Sequence, residues 1–182
     1  METFRKQNLN FLEILFTPYF IINPLYKDQW DRLIASNEKI AKMNPYRAVK
    51  SMKGIALEKY YAMEHKYPSK IDIIEAYGYD GKQVSHLLRV DDYLTRYING
   101  EDYKNCLRPS QNLINRIMDY KKLDKIPLDE AREEAKRVLA HTEEIANAFC
   151  ADLEDNENQE IRDLLEDVSY NILKISIKKE LK

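Results

Sequence analysis

Lys82, His86, Arg89 and Tyr93 stand four, three and four residues apart, and on a helix that spacing lines their side chains up along one face. Two cations, an imidazole and an aromatic ring in one row make a surface suited to phosphates and the bases they carry. A solvated helix face has the same composition, since long basic side chains are mostly exposed. Arg5 and Lys6 form a second, smaller basic group near the start of the chain. Glu13, shortly after them, is a carboxylate that beside a polyanion could hold a divalent metal or take a proton. As an outward-facing residue it would do neither.

The distribution of charge favours a polyanion-facing side. The chain carries 29 Lys+Arg against 31 Asp+Glu, a net of -2, but up to Ile126 the count is 21 basic and 16 acidic residues, a net of +5. From Pro127 onward it is 8 basic and 15 acidic, a net of -7. Such asymmetry in a nearly neutral protein hints at a nucleic-acid-facing surface. It argues against a protein that mimics DNA, which needs dense negative charge throughout.

The segment that carries the basic row has its own boundaries. Asp80 can cap a helix, Val84, Leu87, Leu88, Leu94, Tyr97 and Ile98 recur at helical spacing, and Asn99-Gly100 supplies a left-handed stop. A helix with a core face is therefore expected from Asp80 to Gly100, and the rest of the chain is organised around it. Before it, Leu9 to Asn23 is rich in aromatic and β-branched residues on both sides of Thr17-Pro18, which predicts a β-hairpin over residues 8–23. Thr17, Pro18 and Tyr19 at its turn would meet a partner, and its free edge could pair with one. The hairpin is expected to be dispensable for folding and necessary for function.

After Pro24 the pattern is helical to the end. Helices are expected from Asp28 to Met43, from Pro45 to about Lys66, from Lys70 to Tyr77, from Ser110 to Tyr120, from Pro127 to Leu153 and from about Gln159 onward. Gly54, inside the second of these, predicts close approach of another helix, because glycine there otherwise costs about 1 kcal/mol. The fold class expected is mainly α, the hairpin followed by a helical bundle of about six helices in one domain. The 182 residues, 44% apolar and 33% charged, suit a soluble globular protein. Met1 is followed at once by polar residues and no apolar run reaches the roughly 20 residues of a membrane span, so a cytoplasmic protein without a leader is expected.

Several chemistries lack their motifs: there is no Gly-rich phosphate loop, no Gly-x-Ser-x-Gly, no zinc spacing, and Cys106 and Cys150 form no metal or redox pattern. No cofactor is expected beyond a possible divalent metal. Arg137 and His141 come close to the pair used by a class of helical ribonucleases, in which four to six residues separate an Arg from a His. Here three do.

Two family resemblances follow. The stretch from NLNFLEILFTPYFIINP through NPYRAVKSMKGIALEKY and YDGKQVSHLLRVDDYLTRYINGE to LRPSQNLINRIM is similar to the C-terminal half of predicted nucleotidyltransferases of the DNA polymerase beta superfamily. The resemblance implies that Leu12-Glu13, Gly54 and Ala56 match structural positions, and that Lys82, His86 and Arg89 lie near a nucleotide. The family's Gly-Ser and Asp-x-Asp module does not precede this stretch, so nucleotidyl transfer by the chain alone is not expected. In length and order of elements the chain also resembles type II-A anti-CRISPR proteins of the kind that act on guide RNA. That resemblance implies a partner, a type II CRISPR effector nuclease with its guide RNA, and truncation of that RNA.

Overall fold

The computed structural model describes residues 1–122 and 125–180. In order, α1 is Glu2–Arg5, α2 Leu9–Leu12, α3 Lys27–Ala35, α4 Asn37–Ala41, α5 Pro45–Ala62, α6 Ile71–Tyr77, α7 Gly81–Ile98, α8 Tyr103–Cys106, α9 Gln111–Lys121, α10 Leu128–Cys150 and α11 Gln159–Glu180. Short 3-10 turns occupy Glu13–Phe16 and Pro24–Tyr26. The chain divides into two compact units, Met1–Ser51 with Glu154–Lys182, and Met52–Leu153.

The expected β-hairpin is absent: the described residues contain no strand, and residues 8–23 are helical turns followed by an extended loop. Asn8 decides this locally, its side chain accepting the Phe11 amide at 3.2 Å and capping α2. Leu9, Leu12 and Leu15 then recur every three residues and are all buried. That period belongs to a helix face, and burying three leucines together outweighs the strand preference of the aromatic residues among them. Gln7, at φ 51, turns the chain between α1 and α2, and its buried amide donates to the carbonyls of Phe4 and Ile40 at 2.7 and 2.9 Å.

The expected helix from Asp28 to Met43 is interrupted at Ser36, where Asn37 instead donates to the Leu15 carbonyl at 3.3 Å. Leu33, Ile40, Ala41, Met43, Ala48 and Val49 join Ile161, Leu165 and Val168 of α11 in the buried set of this unit. Its polar clasp is residues 154–158. Buried Asn44 caps α5 by accepting the Arg47 amide at 2.9 Å and donates to Asp155 at 2.7 Å, while the Asn158 amide donates to the Met43 carbonyl at 2.8 Å. Glu157, with 9% of its side chain exposed, lies between Arg5, at 3.0 Å, and Arg47. Burial works to raise the Glu157 pKa, but the two guanidiniums outweigh it and hold the carboxyl below the usual range.

A depressed carboxyl contributes stability that is present above its unfolded pKa and disappears as pH falls through the folded one. Glu157→Gln is therefore expected to cost about 1–2 kcal/mol at neutral pH, the range for charged hydrogen bonds discounted for solvent. The difference from the parent should shrink as pH falls through the acid range, which thermal melts across that range measure. A pH-independent difference would mean that shape, not charge, holds the clasp.

In the second unit α7 packs against both α9 and α10. The expected features of α7 are present: Asp80 caps it by accepting the Lys82 amide at 3.0 Å, and Gly100 follows its end at φ 86. Val84, Leu87, Leu88, Leu94 and Tyr97 are buried, with Ile117 and Tyr120 of α9 and Ala131, Ala135 and Val138 of α10. Tyr79, fully buried, donates to the Ile126 carbonyl at 2.9 Å. Gly54 does not mark a close approach. It is exposed, and nothing lies within 4 Å of where its Cβ would be; α5 simply carries the propensity cost.

Candidate phosphate-binding face

The two ends of α7 differ in what covers them. Lys82 and Arg89 are exposed and His86 is half-buried, all within the first half of that helix. Lys82, Arg89 and Lys121 at the end of α9 have no acidic partner among the described residues. That separates them from Arg96, Arg116 and Arg132 of the same unit, which are held by Glu101, Glu134 and Glu64 respectively. Lys59 of α5 reaches the same neighbourhood while paired with Glu58 at 2.7 Å.

Burial lowers the His86 pKa, and the positive charges of Arg89, Lys59, Lys82 and Lys121 lower it further. The imidazole is consequently neutral at pH 7 and can donate through one ring nitrogen and accept through the other. Lys82, Arg89 and Lys121, without acidic partners among the described residues, stand around one neutral ring, and an incoming phosphate relieves their mutual repulsion. The sequence pointed to Lys82, His86 and Arg89; Lys59 and Lys121 come from other helices and are brought here by tertiary packing.

Tyr93 does not belong to the accessible row. Its ring is 4% exposed, stacked on Tyr97 with centroids 6.3 Å apart and meeting Tyr103 edge-on at 5.4 Å. Beyond Gly100 the chain turns back so that α8 and its buried Tyr103 cover this part of α7. Helical spacing put Tyr93 in line with Lys82, and the covering segment withdrew it from solvent. Burial also pushes its hydroxyl pKa up, so it stays neutral.

The remaining expected residues lie in the first unit. Arg5 is engaged by Glu157 and Glu2, whereas Lys6 is exposed. Glu13 is exposed in a 3-10 turn rather than on a strand. Thr17 donates to the Tyr19 carbonyl at 3.1 Å and folds the loop over Pro18. Tyr19 and Ile21 beyond it are 88% and 105% exposed. Among the described residues no group of three or more His, Cys, Asp or Glu is placed to hold a metal ion, and no helix is long and apolar enough to cross a membrane.

Compared with protein-family models, curated proteins and solved structures, the chain matches none.

Proposed function

We propose that this chain is an RNA-binding helical protein whose face of Lys82, His86, Arg89 and Lys121 takes backbone phosphates. The observation that carries this is the absence of acidic partners, among the described residues, for three exposed cations, Lys82 and Arg89 on the first half of α7 and Lys121 at the end of α9. Cations that merely solvate a helix face recur singly and are commonly paired along it, as Arg162 is with Glu166. Here they converge on a neutral histidine.

The RNA we propose is the guide RNA of a type II CRISPR effector nuclease, with inhibition through truncation of that RNA as the outcome. Support for a protein partner beside the RNA comes from the loop around Tyr19, Phe20 and Ile21, whose apolar side chains are 88%, 50% and 105% exposed. Apolar groups standing together in water mark contact sites. The alternative is a nucleotide-binding helical module that completes a nucleotidyltransferase whose catalytic half is another chain. It uses the same basic face.

Fluorescence anisotropy with labelled single-stranded RNA, guide RNA and nucleoside triphosphate separates the two. RNA binding that survives a large excess of triphosphate supports the first reading. Displacement by triphosphate at concentrations near its own dissociation constant supports the second. If neither ligand binds, the phosphate reading falls.

A further inference from the structure

Arg137 and His141 stand one helical turn apart on α10 and line a groove of about 400 Å³ together with Asp91, Asp92, Ser110 and Asn112. Asp91 lies on the side of α7 away from the basic face, since nine residues after Lys82 correspond to about half a revolution in excess of whole turns. The groove is thus a second place, not an extension of the first.

Its histidine is oriented. Asp91 Oδ1 is 2.8 Å from His141 Nδ1 and 2.8 Å from the Thr142 hydroxyl. An ionised carboxylate only accepts, so the ring proton belongs on Nδ1 and the lone pair on Nε2. Asp91 keeps 20% of its side chain exposed and His141 46%, so the orienting group is the more buried and the imidazole faces outward. A carboxylate holding one nitrogen of a histidine while the other is accessible is the arrangement of a general base.

The neighbouring charges are accounted for. Glu134 is tied to Arg116 and to the Tyr120 hydroxyl. Asp92 accepts the Ser110 amide at 3.0 Å and lies 3.7 Å from Arg96. Arg137 is 73% exposed and only distantly paired, 3.9 Å from Glu134. Among the described residues lining the groove, it is the cation able to turn to an anionic ligand. A base and an anion clamp are what a protein must supply when the substrate brings its own nucleophile, and an RNA phosphodiester does so in its 2′-hydroxyl.

We propose that this groove cleaves single-stranded RNA by phosphodiester transfer, with His141 as general base, Arg137 holding the phosphate and Asp91 as the positioning residue. His141 Nε2 takes the proton of a ribose 2′-hydroxyl as the 2′-oxygen bonds to the adjacent phosphorus. The bond from phosphorus to the next 5′-oxygen breaks, and that oxygen receives a proton relayed through water from the imidazolium. The products are a 2′,3′-cyclic phosphate and a 5′-hydroxyl, and the protein returns to its starting state without a co-reactant.

The test uses the full chain and a labelled RNA oligonucleotide in the presence of a metal chelator, with products identified by mass spectrometry. The parent should release cyclic-phosphate ends and leave the all-2′-deoxy oligonucleotide intact. His141→Gln should lose roughly 100-fold or more in rate, within the range of general-base catalysis. Added imidazole should restore part of the rate to His141→Gly, which a merely structural histidine would not show. Asp91→Asn should lower kcat with KM unchanged, and Arg137→Ala should raise KM. Lys174→Ala should cleave as the parent does, and anisotropy of the parent with the uncleavable all-2′-deoxy oligonucleotide, which reads binding without cleavage, keeps a failure of the basic face distinct from a failure of the groove. Absence of cyclic-phosphate products, or equal cleavage by parent and His141→Gln at equal melting temperature, overturns the proposal.

Discussion

The Lys82→Ala/Arg89→Ala variant binds single-stranded RNA roughly 10–100-fold more weakly than the parent, the loss expected for two solvent-exposed charged contacts at about 1 kcal/mol each. Its dependence of log affinity on log salt becomes shallower by about 1.4, because each phosphate contact on a single strand releases about 0.7 counterion. The melting temperature stays where it was, since both side chains are exposed and neither belongs to an ion pair among the described residues. Lys136→Ala/Lys174→Ala removes the same net charge elsewhere and leaves the slope unchanged. Affinity also rises as pH falls below neutrality. His86 is held below its ordinary pKa by burial and by the cations around it, a bound phosphate favours its protonated form, and linkage then makes binding tighter where that form is reached. His86→Gln flattens that pH dependence. An unchanged salt slope in the double variant identifies the row as an ordinary solvated face.

The second large effect is on folding. A chain beginning at Pro24 loses Phe4, Leu9, Leu12 and Leu15, which are 5%, 5%, 1% and 1% exposed. At roughly 1.5–3 kcal/mol for each buried side chain, the loss is on the order of 6–12 kcal/mol, comparable with the whole stability of a typical domain. It also removes the Gln7 amide from the Ile40 carbonyl and Arg5 from Glu157. The truncated protein should therefore lose the cooperative thermal transition of the unit formed by Met1–Ser51 and Glu154–Lys182. This reverses the expectation attached to a hairpin, and removing Pro18–Ile21 alone, whose side chains are exposed, should leave that transition in place. A cooperative melt retained by the chain beginning at Pro24, followed by circular dichroism, would show that the buried leucines are replaceable.

Both results turn on which features local chemistry decides. The limits of α7 were readable because Asp80 caps its own helix two residues on and Gly100 takes a left-handed backbone at no steric cost. Its core face was readable from the 3.6-residue period of Val84, Leu87, Leu88 and Leu94. The polar break after α10 was likewise visible, though not its role, because the partners of Asp155 and Glu157 are Asn44, Arg47 and Arg5, more than a hundred residues away.

What spacing by itself determined about this protein is therefore the existence of α7 and the alignment of Lys82, His86 and Arg89 along it. Tertiary structure decided which part of that line meets solvent: α8 folds over Tyr93 while Lys82 and Arg89 stay open, and a helical wheel carries no information about a segment that returns to cover it. Tertiary structure also joined Asp91 to His141 across fifty residues, where the count of residues between Arg137 and His141 had made the pair look like a misfit. It decided, finally, that residues 8–23 are not a hairpin. Strand preference measures how a side chain suits a pleated, half-buried surface, and leucines every three residues beside an asparagine cap found a larger burial as helical turns.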